Sequence, residues 1–185
     1  MHLIIGLGNP GKEYRNTRHN AGFFALEYLR KVWGFSEFQA HASFFAEYSK
    51  GRIGNTAVIL ARPETYMNLS GKSVYALANF FKIPPENIAI IHDDLDITLG
   101  EVRMSFDSRS AGHRGVESII NALGTKKFFR FRIGIGHRDN STETDISKNT
   151  ERFVLDSFSS DEQSAIESTF PDLAKNLTLW VRKHE

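Results

Sequence analysis

The chain opens on a short apolar strand, Leu3-Ile4-Ile5, that runs without a linker into Gly6-Leu7-Gly8-Asn9-Pro10-Gly11 and on to Thr17-Arg18-His19-Asn20. This stretch constrains the molecule most, because it supports two incompatible readings. As a bare pattern it is G-x-G-x-x-G after a strand, the fingerprint of dinucleotide binding. Residue by residue it is a rigid Asn-Pro-Gly turn followed by a loop that delivers a histidine. The dinucleotide reading fails on mechanics. It needs a helix to begin at once on the pyrophosphate and an acidic residue at the end of the next strand. Here Pro10 pins φ and holds Asn9 extended. Residues 12–20 are polar without a helical apolar stripe, and the acidic candidate, Glu27, falls inside a helical pattern.

The rest of the composition narrows the class. With 185 residues, 41% of them hydrophobic, the chain can bury the core of one ordinary domain. No apolar run approaches membrane-spanning length, and no signal-peptide layout follows the first strand. Cysteine is absent, which excludes disulfides and thiol chemistry and fits a reducing cytoplasm. A net charge of +1 means that affinity for nucleic acid must come from local basic patches.

Periodicity gives an alternating order of elements. Strand 3–7 leads to a helix at 21–33, stopped by Gly34, then to strands 43–50 and 57–62 joined by a turn at 51–55. A helix at 68–82, closed by Pro84-Pro85, precedes a wholly apolar strand at 88–92. A strand at 101–106, a helix at 114–123 and a strand at 129–135 follow, and Pro171 should start or kink a segment of the C-terminal helix between 160 and 184. The pattern predicts a single-domain, three-layer α/β/α sandwich around a mixed, mostly parallel sheet.

In such sheets, sites form where loops leave the carboxyl ends of strands. Asn9 and His19, then Tyr66-Met67-Asn68, then Asp93 all fall at strand exits. Each has a plainer reading: Asn9-Pro10-Gly11 as a turn, Asn20 as the N-cap of the following helix, and His92-Asp93-Asp94-Leu95-Asp96 as a solvated acidic loop or a metal site. EF-hand spacing and a His-x-x-x-His pair are absent, so the expectation is no metal and no cofactor.

Taken in order, several blocks resemble bacterial-type peptidyl-tRNA hydrolase: Gly6 to Gly11 with Tyr14, Thr17-Arg18-His19-Asn20-Ala21-Gly22-Phe23, Tyr66 to Lys72, His92 to Asp96, Gly112-His113 with Gly115 and Ile119, Arg132 to Gly136, and Phe153-Val154-Leu155. The resemblance implies a monomeric, cytoplasmic hydrolase of the ester between a peptide and the 3′-terminal adenosine of tRNA. It makes His19 the base, Asp93 its orienting partner, and the stretch 137–150 a mobile lid.

The residue types suit that chemistry. A ribose ester is already activated, so a positioned water, a base for its proton and donors for the oxyanion suffice. Imidazole titrates near neutrality, and a carboxylate on its other nitrogen fixes the tautomer. Asn68 serves as oxyanion donor and substrate anchor. Asn9 holds the 3′-terminal ribose or the water, with Tyr14 nearby. Tyr66 and Met67 wall the peptide. No Ser or Cys elbow is visible, which favours direct attack by water.

For tRNA, Phe129-Arg130-Phe131-Arg132-Ile133 alternates so that Arg130 and Arg132 share a face, with Arg103, Lys126 and Lys127 nearby; an ordinary solvated strand face reads the same way. The chain departs from the family after Gly112-His113, where Arg114 replaces the usual Asn. There a cation in the first turn of a helix calls for a partner such as Glu117, or for a tRNA phosphate shared with His113. A rival class is the RNA-splicing partners built on this fold in organelles; the retained His19, Asp93, Asn9 and Asn68, and a start without a transit peptide, argue against it.

Overall fold

A computed structural model describes residues 1–136 and 150–184; the expected lid, 137–150, lies outside the described residues except at its last position. The sheet has seven strands: β1 His2–Gly6, β2 Gln39–His41, β3 Ala46–Ile53, β4 Thr56–Pro63, β5 Ile88–Thr98, β6 Val102–Phe106 and β7 Phe129–Gly136. Their order is β2-β3-β4-β1-β5-β7-β6. The four central strands run parallel, while β2, β3 and β6 close the sheet with antiparallel pairs.

β1 lies in the middle, paired with both β4 and β5, and all five of its residues are buried. Its side chains alternate between two cores. Ile4, with Leu60, Ile91, Phe131 and Ile133, packs under α1 (Ala21–Val32) and the C-terminal helix α5 (Phe170–Lys183). Leu3 and Ile5, with Ile59, Ile88 and Ile90, pack under α2 (Ser70–Phe81) and α3 (Arg114–Leu123). Helices on both faces explain why these strands read as continuous apolar runs. A further helix, α4 (Ser160–Glu167), starts with a capping box between Ser159 and Glu162, and Pro171 opens α5.

The glycines of the opening motif act in packing. A Cβ on Gly6 would lie 2.3 Å from the Gly22 carbonyl oxygen, and one on Gly22 would lie 2.5 Å from the Leu7 nitrogen and the Ile91 oxygen. Their absence lets the first turn of α1 press onto the exits of β1 and β5, so the histidine just before that helix arrives over the end of β5.

Several expectations shift. The hairpin turn falls at Gly54-Asn55, because Gly51 stays in β3 against the Phe35 ring. The short edge strand β2, three residues long with Gln39 and Ala40 exposed, carried no apolar period. The largest change is β5. It continues to Thr98, so the sequence from Asp93 is strand and not a solvated loop. Asp93 and Asp94 pair in register with Ile133 and Gly134 of β7 and are buried.

Candidate active site

Three strand exits meet over the carboxyl end of the sheet. After β1, the Asn9 side chain turns toward the exit of β4, and its Oδ1 accepts from the Met67 backbone N–H at 2.8 Å. The Asn9 backbone is gripped by Asn20, whose Oδ1 accepts from Asn9 N–H at 2.8 Å and whose Nδ2 donates to Asn9 O at 3.1 Å. Asn20 therefore clamps the turn instead of capping α1 with its side chain. Because Oδ1 of Asn9 is engaged, its Nδ2 is the group left for a ligand. Asn9 offers a donor.

His19 sits in the short turn before α1, 9% exposed. Its Nδ1 lies 3.0 Å from both carboxylate oxygens of Asp93 at the end of β5's apolar run. A carboxylate only accepts, so Nδ1 carries the hydrogen and Nε2 keeps its lone pair. Burial by itself would lower the His19 pKa. The Asp93 charge and hydrogen bond outweigh burial and the nearby Arg114, so the imidazole titrates above its ordinary 6.5. Burial also opposes the charge on Asp93, yet His19 and His113 hold its carboxyl well below the usual range. Asp93 is anionic.

His113, just before α3, is the second donor: its Nε2 is 3.0 Å from Asp93 Oδ1. Below it, His92 is buried and donates from Nδ1 to the Asp93 carbonyl oxygen at 2.6 Å. Burial, reinforced by His113, drives the pKa of His92 well below 6.5 and keeps that ring neutral.

The residues ahead of His19 anchor it to the far end of the chain. Arg18 is 9% exposed and binds both Glu162 oxygens through Nη2, at 2.9 and 3.0 Å. Its guanidinium stacks 4.2 Å from the Phe153 ring centre, and Nη1 donates to Phe153 O at 3.2 Å. Sequence reasoning gave Arg18 no role. In the sequence Arg18 is one more cation in a polar stretch, and its partner lies 144 positions away.

Other expected residues are placed differently from one another. Asn68 stands exposed in the turn after β4, and Tyr66, 57% exposed, meets Tyr14 edge-on with ring centres 6.3 Å apart. Met67 is buried, with its sulfur in the space a Cβ on Gly115 would enter, so it braces α3 more than it walls a ligand. Arg114 pairs with Glu151 at 2.9 and 3.2 Å rather than with Glu117.

The arginine stripe also divides. Arg130 and Arg132 do share a face, opposite Ser105 and Arg103 of β6. Arg130 is buried, however, and donates to the Arg109 carbonyl oxygen at 2.7 Å, so it is no part of an exposed patch. Arg132 reaches Asp94 at 3.2 Å, and Arg103 pairs with Glu101 at 2.8 Å.

His19, Asp93 and His113 are also the group among the described residues whose ligating atoms approach closely enough, within 4.8 Å, to share a cation. Those atoms already bond to one another in pairs, and both histidine nitrogens concerned carry hydrogens. The arrangement is that of a hydrogen-bonded relay.

An imidazole with a free Nε2, oriented by a buried carboxylate at the exit of a parallel strand, is the equipment of an α/β hydrolase that activates water. The comparisons name the family within that class. The family model for peptidyl-tRNA hydrolase matches residues 3–185, and the chain belongs to that family. A peptidyl-tRNA hydrolase of Clostridium botulinum is 42% identical over 175 residues, covering 95% of this chain and 87% of the relative. One from Mycobacterium avium is 43% identical over 164 residues, covering 89% and 82%. The crystal structure of the Acinetobacter baumannii peptidyl-tRNA hydrolase superimposes with a TM-score of 0.90 at 36% identity, covering 100% of this chain and 90% of that one.

Proposed function

We propose that the protein hydrolyses the ester joining a peptide to the 3′-terminal adenosine of tRNA, with His19 as general base for water. The observation that carries this is the His19 Nδ1 bond to both oxygens of buried Asp93. It leaves the lone pair of Nε2 for a water. Water held at Nε2 loses its proton as it attacks the carbonyl carbon, and Asp93 stabilises the imidazolium that forms. The oxyanion then needs donors, for which the exposed Asn68 amide and the free Nδ2 of Asn9 serve. As the tetrahedral intermediate collapses, the imidazolium returns the proton to the leaving 3′-oxygen. The exposed Tyr66 and the half-buried Tyr14 packed against it offer an aromatic surface for the peptide or the terminal base.

On the tRNA side, Arg103 and Arg114 are paired with carboxylates in exposed bridges, whereas Arg132 is held by the buried Asp94. Exposed pairs contribute little to stability, so a phosphate can take over the Arg103 and Arg114 guanidinium groups at small cost. Binding built this way ignores sequence and weakens with salt. The protein acts as a monomer in the cytoplasm; no helix among the described residues is long and apolar enough to cross a membrane. A role in RNA binding alone leaves the buried His19–Asp93–His113 relay without a purpose.

The test is release of peptide from N-blocked aminoacyl-tRNA. Wild type should turn over and His19→Ala should not, with tRNA affinity within a few-fold. Tight binding without release by wild type would support the binding-only reading.

A further inference from the structure

His113 is held from two sides. It precedes Arg114, the first residue of α3, and its Nδ1 accepts from the backbone N–H groups of Gly115 and Val116 at 3.2 and 3.3 Å. Backbone N–H groups only donate, so Nδ1 bears no hydrogen. In the neutral ring the hydrogen is on Nε2, and Nε2 faces Asp93 Oδ1 at 3.0 Å. Both nitrogens are engaged and the side chain is 9% exposed, which leaves no polar atom for a phosphate. We infer that His113 is a positioning residue: the N-terminus of α3 fixes its tautomer so that it gives Asp93 a second N–H, setting the plane and basicity of the carboxylate that orients His19. The inference rests on the His19–Asp93 reading above and replaces the expected contact of His113 with tRNA.

The geometry explains why the cap of α3 is an imidazole. Ser, Thr, Asp and Asn are the usual N-caps, and each satisfies the free N–H groups of a first turn. A histidine does so with Nδ1 and still presents a donor on the far side of its ring. The two backbone donors on Nδ1 thereby fix the tautomer. At Asp93 the benefit is orientation. His19 Nδ1 is equidistant from the two oxygens and does not by itself choose a carboxylate rotation; a second donor on Oδ1, fixed to a helix, does.

The second donor also withdraws electron density from the carboxylate. Without it Asp93 would be more basic, would hold the imidazolium of His19 more tightly, and would raise the pH at which the base becomes available. The other groups facing this cluster are His92 from β5, Arg114 from α3, and Arg130 and the Arg132–Asp94 pair from β7 and β5. All remain in place when residue 113 is changed.

Two substitutions separate the two nitrogens. Asn places its acceptor near the position of Nδ1 and keeps the cap, but does not reach Asp93. Gln places a donor near the position of Nε2 and gives up the cap. His113→Asn should melt near wild type, lower kcat by about 10-fold or more with KM changed less than about threefold, and move the acid limb of the kcat/KM profile to higher pH. His113→Gln should melt lower yet stay nearer wild type in kcat and acid limb. NMR titration of His19 in both variants gives a readout that needs no substrate: its pKa should rise in His113→Asn. That measurement decides the inference even if wild type released no peptide, an outcome that would sink the hydrolase reading instead. Unchanged kcat, acid limb and His19 titration in His113→Asn would reduce His113 to a helix cap and overturn the inference. A raised KM with kcat and titration unchanged would return it to tRNA.

Discussion

The strand exits around Asp93 and the arginine-bearing face of β6 and β7 lie on the same sheet, and both concentrate polar side chains. They differ in what holds those side chains. At the exits, polar groups are buried and locked to one another: Asn20 to Asn9, Asn9 to the β4 exit, and His19 and His113 to Asp93. On the arginine face, Arg130 is locked inside and Arg132 is held by the buried Asp94, while Arg103 makes a bridge open to water. The contrast separates a region built for fixed geometry from one that keeps a cation able to exchange partners. Chemistry needs the first and contact with a polyanion needs the second.

Substitutions in the locked region should cause the largest losses. His19→Ala and Asp93→Asn should each lower kcat by roughly 10²–10⁴-fold, the first by removing the base and the second by removing the carboxylate that fixes it. Single-turnover rates on peptidyl-tRNA, with tRNA affinity measured in parallel, check this. Comparable losses in affinity and rate would place both residues on the tRNA instead.

Arg130→Met belongs to neither region as first expected. It removes one hydrogen bond to the carbonyl oxygen of Arg109, itself an exposed residue, so stability should fall by about 0.5–1.5 kcal/mol while the salt dependence of tRNA binding stays as in wild type. Thermal melts and binding at several salt concentrations distinguish this from a phosphate contact, which would flatten the slope and spare the melt.

Arg114→Ala is a smaller perturbation on the exchangeable side. It should reduce the magnitude of the salt slope by about one unit, because its bridge to Glu151 is exposed and gives way to a phosphate. Reduced hydrolysis with unchanged binding would instead place Arg114 at the attacking water. Smallest of all is the effect of chelation. After dialysis against EDTA, with magnesium then returned for the tRNA, turnover should be unchanged. Loss rescued by one particular transition ion would make the His19–Asp93–His113 cluster a metal site.

The same contrast explains what the sequence revealed. The apolar strands were legible in place though not in their bounds, and α3 in both, because burial on a fixed face leaves a period. His19, Asn9 and Asp93 stood out as polar residues at the ends of such strands. β5 beyond His92 was not legible, because Asp93 and Asp94 look solvated, as the exposed Asp96 is, until His19, His113 and Arg132 are brought to them from elsewhere in the chain. Arg18 and Arg130 were misjudged for the same reason. A cation's burial is decided by partners distant in sequence, Glu162 for one and the Arg109 carbonyl for the other. Asn20 resembled a helix cap because its true partner, the Asn9 backbone, leaves no periodic trace.

The pH dependence of kcat/KM for wild-type hydrolysis of peptidyl-tRNA tests the central claim most directly. His19 must be neutral to accept a proton, and its pKa in the fold lies above 6.5 because Asp93 stabilises the imidazolium against the opposing effect of burial. Activity should therefore rise with pH along a single acid limb whose midpoint lies above 6.5, and Asp93→Asn should move that midpoint down. A limb in the carboxylate range, or a rate independent of pH across neutrality, would contradict the assignment of His19 as the base.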